Sequence, residues 1–139
     1  MTYYFEDLKP GMAESFTKTV SERDVQLFGE VSGDTNPVHF DEAYARTTVF
    51  RGRIAHGVLS LSYMSAVLGT KIPGPGTIFV SQSTRFKAPV RIGDTVVTVC
   101  TVRELLEKRR VIFDCICKVK DTVVVEGEAL VIAPARPAA

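Results

Sequence analysis

The chain has 139 residues, a formal net charge of +1 and 45% hydrophobic residues, which suits one domain with a packed core. A charge so near zero leaves no broad basic field to hold nucleic acid or an anionic membrane. The first residues carry acids early and lack an apolar run, so we expect no secretory signal peptide. No uncharged run reads as a membrane span of roughly 20 apolar residues. We therefore expect a cytoplasmic protein that binds neither nucleic acid nor membrane.

The first half of the chain predicts one strand followed by irregular helical pieces. The stretch ESFTKTV alternates polar and apolar residues, as a half-buried strand does. Ser21 then precedes acids and apolar residues at helical spacing, so we predict a helix capped by Ser21 and ended by Gly33. A polar stretch at 32–41 contains the turn signal Asn-Pro and should be a loop that leads into a short helix at DEAYART.

The middle of the chain predicts a buried helix, because residues 54–70 contain no Asp, Glu, Lys or Arg. Four segments rich in Val, Ile and Phe follow, separated by short turn-like breaks, and these predict antiparallel strands. The fold class is therefore α+β, with one uncharged helix laid against a curved antiparallel sheet. We expect a single domain over residues 1–133 and a disordered C-terminal tail over 134–139.

Three cysteines, Cys100, Cys115 and Cys117, lie among valines and isoleucines. In a chain without an export signal we expect reduced, buried thiols. Cys115 and Cys117 would share one face of a strand and so resemble half a metal site. Neither histidine is close in sequence, and packing in the core is the favoured interpretation.

The stretch SGDTNPVHFD concentrates polar chemistry in ten residues. Asp34 and His39 are five residues apart with Pro37 between them, so a turn can bring both side chains onto one water molecule. Asn36 most simply bonds local backbone and fixes that turn. Read without other information, Asp34 is a turn residue and His39 a packed histidine. A metal held by Asp34, His39 and Asp41 is a further alternative, but three ligands within one short loop rarely converge and no fourth is evident.

The run SGDTNPVHFDEAYARTTVFRGRIAHGVLS resembles the MaoC-like, R-specific enoyl-CoA hydratases of the hot-dog fold. The signal is specific, because a D-x-N-P-x-H stretch is followed at a set distance by the His-Gly that opens the central helix. The later FKAPVRIGDTV resembles the family's strand, proline and Gly-Asp turn. The similarity extends over most of the chain, roughly residues 5–132.

The resemblance implies a long helix wrapped by an antiparallel sheet, usually in a homodimer. It implies that Asp34 and His39 form the catalytic pair and that the backbone N–H of Gly57 polarises the thioester carbonyl. It matches Ser65 to a serine near the catalytic carboxylate. The implied reaction is reversible syn hydration of a trans-2-enoyl-CoA to the (3R)-3-hydroxyacyl-CoA, without cofactor or metal.

Two other functions stay open at this point. A hot-dog thioesterase would share the fold but release a free thiol, and a non-catalytic acyl-thioester binding protein would leave its ligand unchanged. Among the other polar residues, we interpret His56 as structural, bonding backbone near the start of the central helix. Asp94 in RIGDTV is interpreted as a turn residue.

Overall fold

One long helix lies across a five-stranded antiparallel sheet in the computed structural model, which describes residues 1–138. The strands are β1 (Ala13–Thr19), β2 (Ile78–Phe86), β3 (Thr95–Leu105), β4 (Arg110–Val119) and β5 (Thr122–Ile132). The helices are α1 (Glu22–Ser32), α2 (Pro37–Phe40), α3 (Glu42–Ala45) and α4 (Gly57–Thr70). Short 3-10 turns occupy Phe5–Asp7 and Glu107–Arg109. Among residues 1–138, no helix combines the length and apolarity needed to cross a bilayer.

The sheet has the strand order β1-β3-β4-β5-β2, and all neighbouring strands are antiparallel. The breaks between β3, β4 and β5 are short, so these strands form consecutive hairpins, as their turn-like breaks predicted. Strands β1 and β2 come from distant parts of the chain and form the two edges. The predicted antiparallel sheet is confirmed. At its β2 edge, the outer side of the strand has no partner strand within residues 1–138.

Helix α4 supplies the centre of the core and contacts all five strands. Its buried side chains are mostly large and apolar, among them Tyr63, Met64, Val67 and Leu68. The expectation of burial on every side is only partly met, because Val58 is 50% exposed and Ser65 is also exposed. The absence of charge on this helix therefore leaves an uncharged strip at the protomer surface.

Helix α1 has the predicted ends. The hydroxyl of Ser21 accepts a hydrogen bond from the N–H of Asp24 at 3.0 Å, and the carboxylate of Asp24 accepts one from the N–H of Ser21 at 3.0 Å. These reciprocal bonds satisfy two donors that a helix start otherwise leaves without partners. Gly33 ends the helix with φ 78°, a conformation that glycine adopts without steric strain. The polar stretch thus leaves α1 at a fixed point.

The three cysteines are free and buried, as predicted. Burial raises the pKa of the Cys117 thiol to about 11. Cys100 and Cys115 are directly opposite each other on β3 and β4, and the Cys115 side chain together with burial raises the pKa of Cys100. The thiols of Cys100 and Cys117 thus stay protonated at neutral pH, and all three cysteines pack as small apolar groups.

The first residues of the tail, for which disorder is predicted, make contacts with the N-terminal segment. The carbonyl of Pro134 accepts a hydrogen bond from the N–H of Phe5 at 2.8 Å. Arg136 forms an ion pair with Asp7, and its guanidinium lies 5.1 Å from the centre of the Tyr4 ring. A single arginine and a backbone carbonyl thus hold this part of the tail on the N-terminal segment. Residue 139 lies outside the described residues.

Candidate active site

The polar stretch contains a helical turn of its own, where a plain loop was predicted. The side-chain oxygen of Asn36 accepts a hydrogen bond from the N–H of Val38 at 3.1 Å and so caps α2. Pro37 fills the first helical position, where its missing N–H is of no consequence. One oxygen of the Asp34 carboxylate accepts from the N–H of Asn36 at 3.2 Å. The turn therefore fixes Asp34 at its start and presents His39 from its other end.

His39 is buried and its imidazole is held by one backbone group. Its Nδ1 lies 2.8 Å from the carbonyl oxygen of Ile54. Because a carbonyl only accepts, Nδ1 carries the proton, and Nε2 of the neutral ring carries a lone pair. Burial lowers the pKa of His39 below its usual 6.5, and the neighbouring His56 lowers it further. The ring is thus neutral at pH 7 and can accept a proton at Nε2.

His56 joins these residues, which is more than the structural role predicted for it. Its ring stacks on the ring of His39 with centroids 3.8 Å apart and planes inclined by 28°. Its Nε2–H donates to the backbone carbonyl of Asp34 at 2.9 Å, a partner 22 residues away. It is also the residue that precedes the first turn of α4, although its side chain makes no capping bond there. A single ring therefore touches both parts of the predicted pair.

Asp34, His39 and His56 bring three groups together, each offering an atom within 4.8 Å of the others. Asp41, the third ligand of the alternative metal reading, lies apart: its carboxylate accepts from the N–H of Tyr44 and caps α3. Nδ1 of His39 and Nε2 of His56 are already bonded to the backbone carbonyls of Ile54 and Asp34. This arrangement suits a water molecule held by the Asp34 carboxylate and Nε2 of His39.

Gly57 begins α4 beside an apolar cavity of about 380 Å³. No side chain caps this helix end. In residues 1–138 the N–H of Gly57 has no hydrogen-bond partner, and the helix dipole makes it an electropositive donor. A Cβ at this position would lie 2.7 Å from Cδ1 of Phe86. The cavity is lined by Phe50, Ile54, Ala55, Val58, Phe86, Lys87, Ala88, Pro89, Val90 and Val125. Only glycine leaves room here for a group to reach the N–H.

Two arginines that the sequence did not single out brace the segment between His39 and α4. The Nε of Arg53 donates to the carbonyl of His39 at 2.7 Å, and its two terminal nitrogens bind Glu22 at 2.7 and 2.8 Å. This pairing lowers the pKa of Glu22 to about 2. Arg91 donates to the carbonyls of Phe50, Gly52 and Arg53. In the sequence, each is a basic residue beside a turn. Such residues are usually exposed to solvent, so these contacts were not predicted. Asp94 accepts from the N–H of Arg91 at 2.8 Å, which agrees with its predicted turn role.

Ser65 stands apart from this cluster in the protomer. It lies eight residues after Gly57, or about 12 Å along the helix at 1.5 Å per residue. Its side chain is exposed and makes no hydrogen bond to any residue in 1–138. The place of Ser65 near the catalytic carboxylate therefore stays a prediction.

The low pKa of His39 predicts that stability decreases as the medium becomes acidic. The unfolded ring takes up a proton near pH 6.5, whereas the buried ring does so only at lower pH. The unfolded chain therefore binds more protons in this window. The free energy of unfolding should fall as pH drops from 6.5 through the lower folded pKa. Urea unfolding at pH 7.5, 6.5 and 5.5 measures this, and His39→Gln should remove that part of the slope. An unchanged slope in the variant would contradict it.

Residues 8–127 match the family model described as MaoC like domain. The chain belongs to the MaoC-like family. The match extends from before β1 into β5 and includes the whole cluster around His39 and Gly57, so the family predicted from the sequence is confirmed.

Members of the MaoC-like family with curated names are similar over nearly the whole chain. An (R)-specific enoyl-CoA hydratase of Rhodospirillum rubrum is 58% identical over 135 residues, covering 96% of this chain and 94% of that protein. A 3-hydroxybutyryl-CoA dehydratase of Methylorubrum extorquens is 50% identical over 132 residues, covering 94% and 84%.

Solved structures agree with these relatives. The unliganded R-hydratase PhaJ1 from Pseudomonas aeruginosa superposes with a TM-score of 0.92 at 44% identity, covering 97% of this chain and 88% of that one. The (R)-hydratase of Aeromonas caviae involved in PHA biosynthesis gives a TM-score of 0.89 at 36% identity, covering 93% and 99%. The predicted hot-dog fold is thereby confirmed.

Proposed function

We propose that this protein is an (R)-specific enoyl-CoA hydratase, a hydro-lyase that reversibly converts a trans-2-enoyl-CoA and water into the (3R)-3-hydroxyacyl-CoA. The observation that carries the proposal is the meeting of the Asp34 carboxylate with the neutral His39 imidazole in one cluster. The curated relatives named for this chemistry support it. The experiment that tests it is hydration of crotonyl-CoA, followed as loss of the enoyl-thioester absorbance.

Water addition needs two acceptors on one water molecule and a donor at the thioester oxygen. The Asp34 carboxylate and Nε2 of His39 each accept one hydrogen of the water. As the water oxygen bonds to C3, one of its protons passes to this pair, and the pair delivers one proton to C2. Both new bonds form on the face where the pair lies, which makes the addition syn. The 3R configuration of the product is inferred from the (R)-specific relatives. Removal of water from the hydroxyacyl thioester uses the same groups in reverse.

The N–H of Gly57 serves this reaction as the donor to the thioester oxygen, on which negative charge grows as the enolate forms. A first-turn N–H of a helix suits this purpose because it lacks an internal partner and carries positive dipole charge. The cavity beside Gly57 is apolar, with Lys87 among its lining residues. Asn36 supports the site by fixing the turn between the pair, and Ser65 is the supporting serine inferred from the family.

Replacing Gly57 with Ala should lower kcat/KM for crotonyl-CoA by about 10²-fold, since displacing a reacting group by about 1 Å has this effect. The N–H remains, but the new methyl group meets the Phe86 ring and occupies the approach to the donor. Steady-state kinetics measure the loss. The double variant with Phe86→Ala makes room for the methyl group and should recover much of the activity. Full activity of Gly57→Ala alone would contradict the predicted role.

A homodimer is part of the same proposal. Strand β2 pairs only with β5, and it exposes Ile78, Phe79, Val80 and Phe86. An open apolar edge of this length promotes association unless something covers it. A second copy related by a two-fold axis would cover β2 and the nearby exposed Val58 of α4. The same proposal includes a cytoplasmic location, which the three free buried thiols support.

Light scattering should therefore give about twice the chain mass of 15.2 kDa. Val80→Lys places a charge on the open edge and should shift the mass toward the monomer. Thr17→Lys adds the same charge to an exposed position on β1, the opposite edge, and should leave the dimer intact. A monomeric wild-type protein, or equal effects of the two substitutions, would count against an interface at β2.

The proposed supply of (3R)-hydroxyacyl-CoA for polyester synthesis or acid metabolism is supported by the Aeromonas caviae hydratase, whose structure is described as involved in PHA biosynthesis. That protein covers nearly the same length as this chain.

A further inference from the structure

We propose that His56 is a positioning residue for hydration, which aligns Asp34 through its backbone carbonyl and His39 through ring stacking. This inference rests on the proposed hydratase function. The ring of His56 is 2% exposed, and its contacts lead to groups that the reaction uses. Its Nε2 is bonded to the Asp34 carbonyl and its ring face is covered by His39, so its effect is transmitted through these neighbours.

The hydrogen bond from His56 fixes the backbone of Asp34, from which the carboxylate side chain extends. Asp34 is exposed and follows Gly33, and its other hydrogen bonds are local: its N–H donates to the Ser32 hydroxyl, and its carboxylate accepts from the N–H of Asn36. The hydrogen bond from Nε2–H of His56 to the Asp34 carbonyl ties this residue to the N-terminus of α4. That helix end also carries Gly57, the next residue along the chain. The His56 side chain thus links Asp34, which carries the acid group, to the helix end that carries the proposed thioester donor.

The contact with His39 limits how its ring can turn. The rings are stacked at 3.8 Å, and His39 is fixed on its Nδ1 side by Ile54. The rings of Phe28 and Phe40 also border His56, with ring centroids 4.8 and 5.7 Å away, and Phe40 lies edge-on to His39 at 6.3 Å. Nε2 of His39 is therefore held in one direction. A base whose lone pair is held in place transfers protons more efficiently than one that must be reoriented.

The second ring nitrogen of His56, Nδ1, distinguishes a positioning role from a purely structural one. With Nε2 protonated, the neutral ring has its lone pair on Nδ1, and Nδ1 is buried without a hydrogen-bond partner. A buried acceptor without a partner is unfavourable. Packing alone needs no nitrogen here, and phenylalanine supplies a planar ring, somewhat larger than imidazole, without a buried nitrogen. What phenylalanine lacks is only the bond to the Asp34 carbonyl.

Two substitutions separate the two contacts. His56→Phe keeps the stack and the packing against Phe28 but removes the donor to Asp34. His56→Gln keeps a donor of similar reach but removes the stacked ring. Tyr63→Phe is the matched control, because Tyr63 is also buried on α4 and also carries a polar atom without a partner.

We expect His56→Phe to lower kcat for crotonyl-CoA at least tenfold, and up to about 10²-fold, with KM within twofold of wild type. Its thermal midpoint should equal or exceed that of the wild-type protein. Tyr63→Phe should change neither kcat nor KM. Wild-type kcat in His56→Phe, or a loss that matches a reduced fraction of folded protein, would overturn the assignment to positioning.

A second measurement does not depend on activity. The chain has two histidines, so each His56 variant retains one imidazole signal, that of His39, in an NMR pH titration. The groups that act on His39 are His56 on the stack, the Asp34 carboxylate and Arg53. His39 should titrate below pH 6.5 in His56→Phe and closer to 6.5 in His56→Gln, where the covering ring is gone. Equal titration in both variants would overturn the role of the stack. If wild-type protein hydrates no enoyl-CoA yet these shifts appear, the proposed function fails while the alignment of His39 stands.

Discussion

Hydration of crotonyl-CoA should fall by about 10²- to 10⁴-fold when Asp34 is replaced by Asn, the range typical of a lost acid or base. The amide cannot take up the proton of the attacking water. It still offers an oxygen to the N–H of Asn36, so the turn should persist. His39→Gln should have an effect of similar size, because the amide nitrogen of Gln has no lone pair for a proton. The loss should appear in kcat and kcat/KM alike, with KM little changed, since the interaction matters in the transition state.

Asp41→Asn is the matched control for this experiment. Asp41 lies in the same polar stretch, but its carboxylate caps α3 by accepting from the N–H of Tyr44 at 3.1 Å. Asparagine caps helices about as well as aspartate, so activity and stability should be retained. A thiol reagent in a parallel cuvette separates the alternatives. Release of free thiol would assign the protein to the thioesterases. Undiminished hydration in Asp34→Asn would remove Asp34 from the chemistry.

The largest loss of stability from a single added methyl group should come from Gly127→Ala in β5. A Cβ on Gly127 would lie 1.9 Å from the carbonyl oxygen of Ser83 and 3.0 Å from Cα of Thr84. These are backbone atoms of β2, paired with β5 along this register, so they cannot move without breaking the ladder. Overpacking of this kind destabilises by about 3 kcal/mol, which for a chain of this size lowers Tm by roughly 10 °C.

Gly69→Ala is the control for that substitution. Gly69 is in α4, and a Cβ there meets no atom within 4 Å. Alanine favours helix over glycine by about 1 kcal/mol, so this variant should be as stable as wild type or more so. Thermal unfolding of both variants measures the difference. If Gly127→Ala unfolds no earlier than Gly69→Ala, the close approach of β2 to β5 described above is wrong.

Local sequence patterns were sufficient for most of the secondary structure. Ser21 and Gly33 mark the ends of α1 because caps depend on a few neighbouring residues, and both appear as predicted. The uncharged run at 54–70 forms α4, and the four apolar segments after it form β2 to β5. Strands β3, β4 and β5 form the predicted hairpins, whereas β2 pairs with β5 and not with β3. The secondary-structure predictions were wrong where short polar side chains compete for hydrogen bonds with the backbone. The Asn36-Pro37 pair starts a helical turn, although the same pair is also a turn signal.

The residues of the candidate site were also predicted only in part. The sequence singled out Asp34, Asn36, His39 and Gly57, because their spacing matches a family motif, and the structure places the first three around one turn. It undervalued His56, whose partner Asp34 is 22 residues away. It also missed Arg53, which links α1 to the backbone of His39. Contacts of this kind leave no periodicity in the sequence.

Motifs, caps and hydrophobic periods are properties of neighbouring residues, and they were enough to predict the family, the α+β class, most of the strand pairing and a candidate acid/base pair. The stack of His39 on His56, the proton position on each ring, the bracing by Arg53 and the crowding of Gly57 by Phe86 follow from the packed fold and could not be predicted. Tautomers, pKa shifts and close approaches depend on which groups meet after α1, α4 and β2 have packed. The number of residues between two groups in the sequence does not predict their distance in the fold.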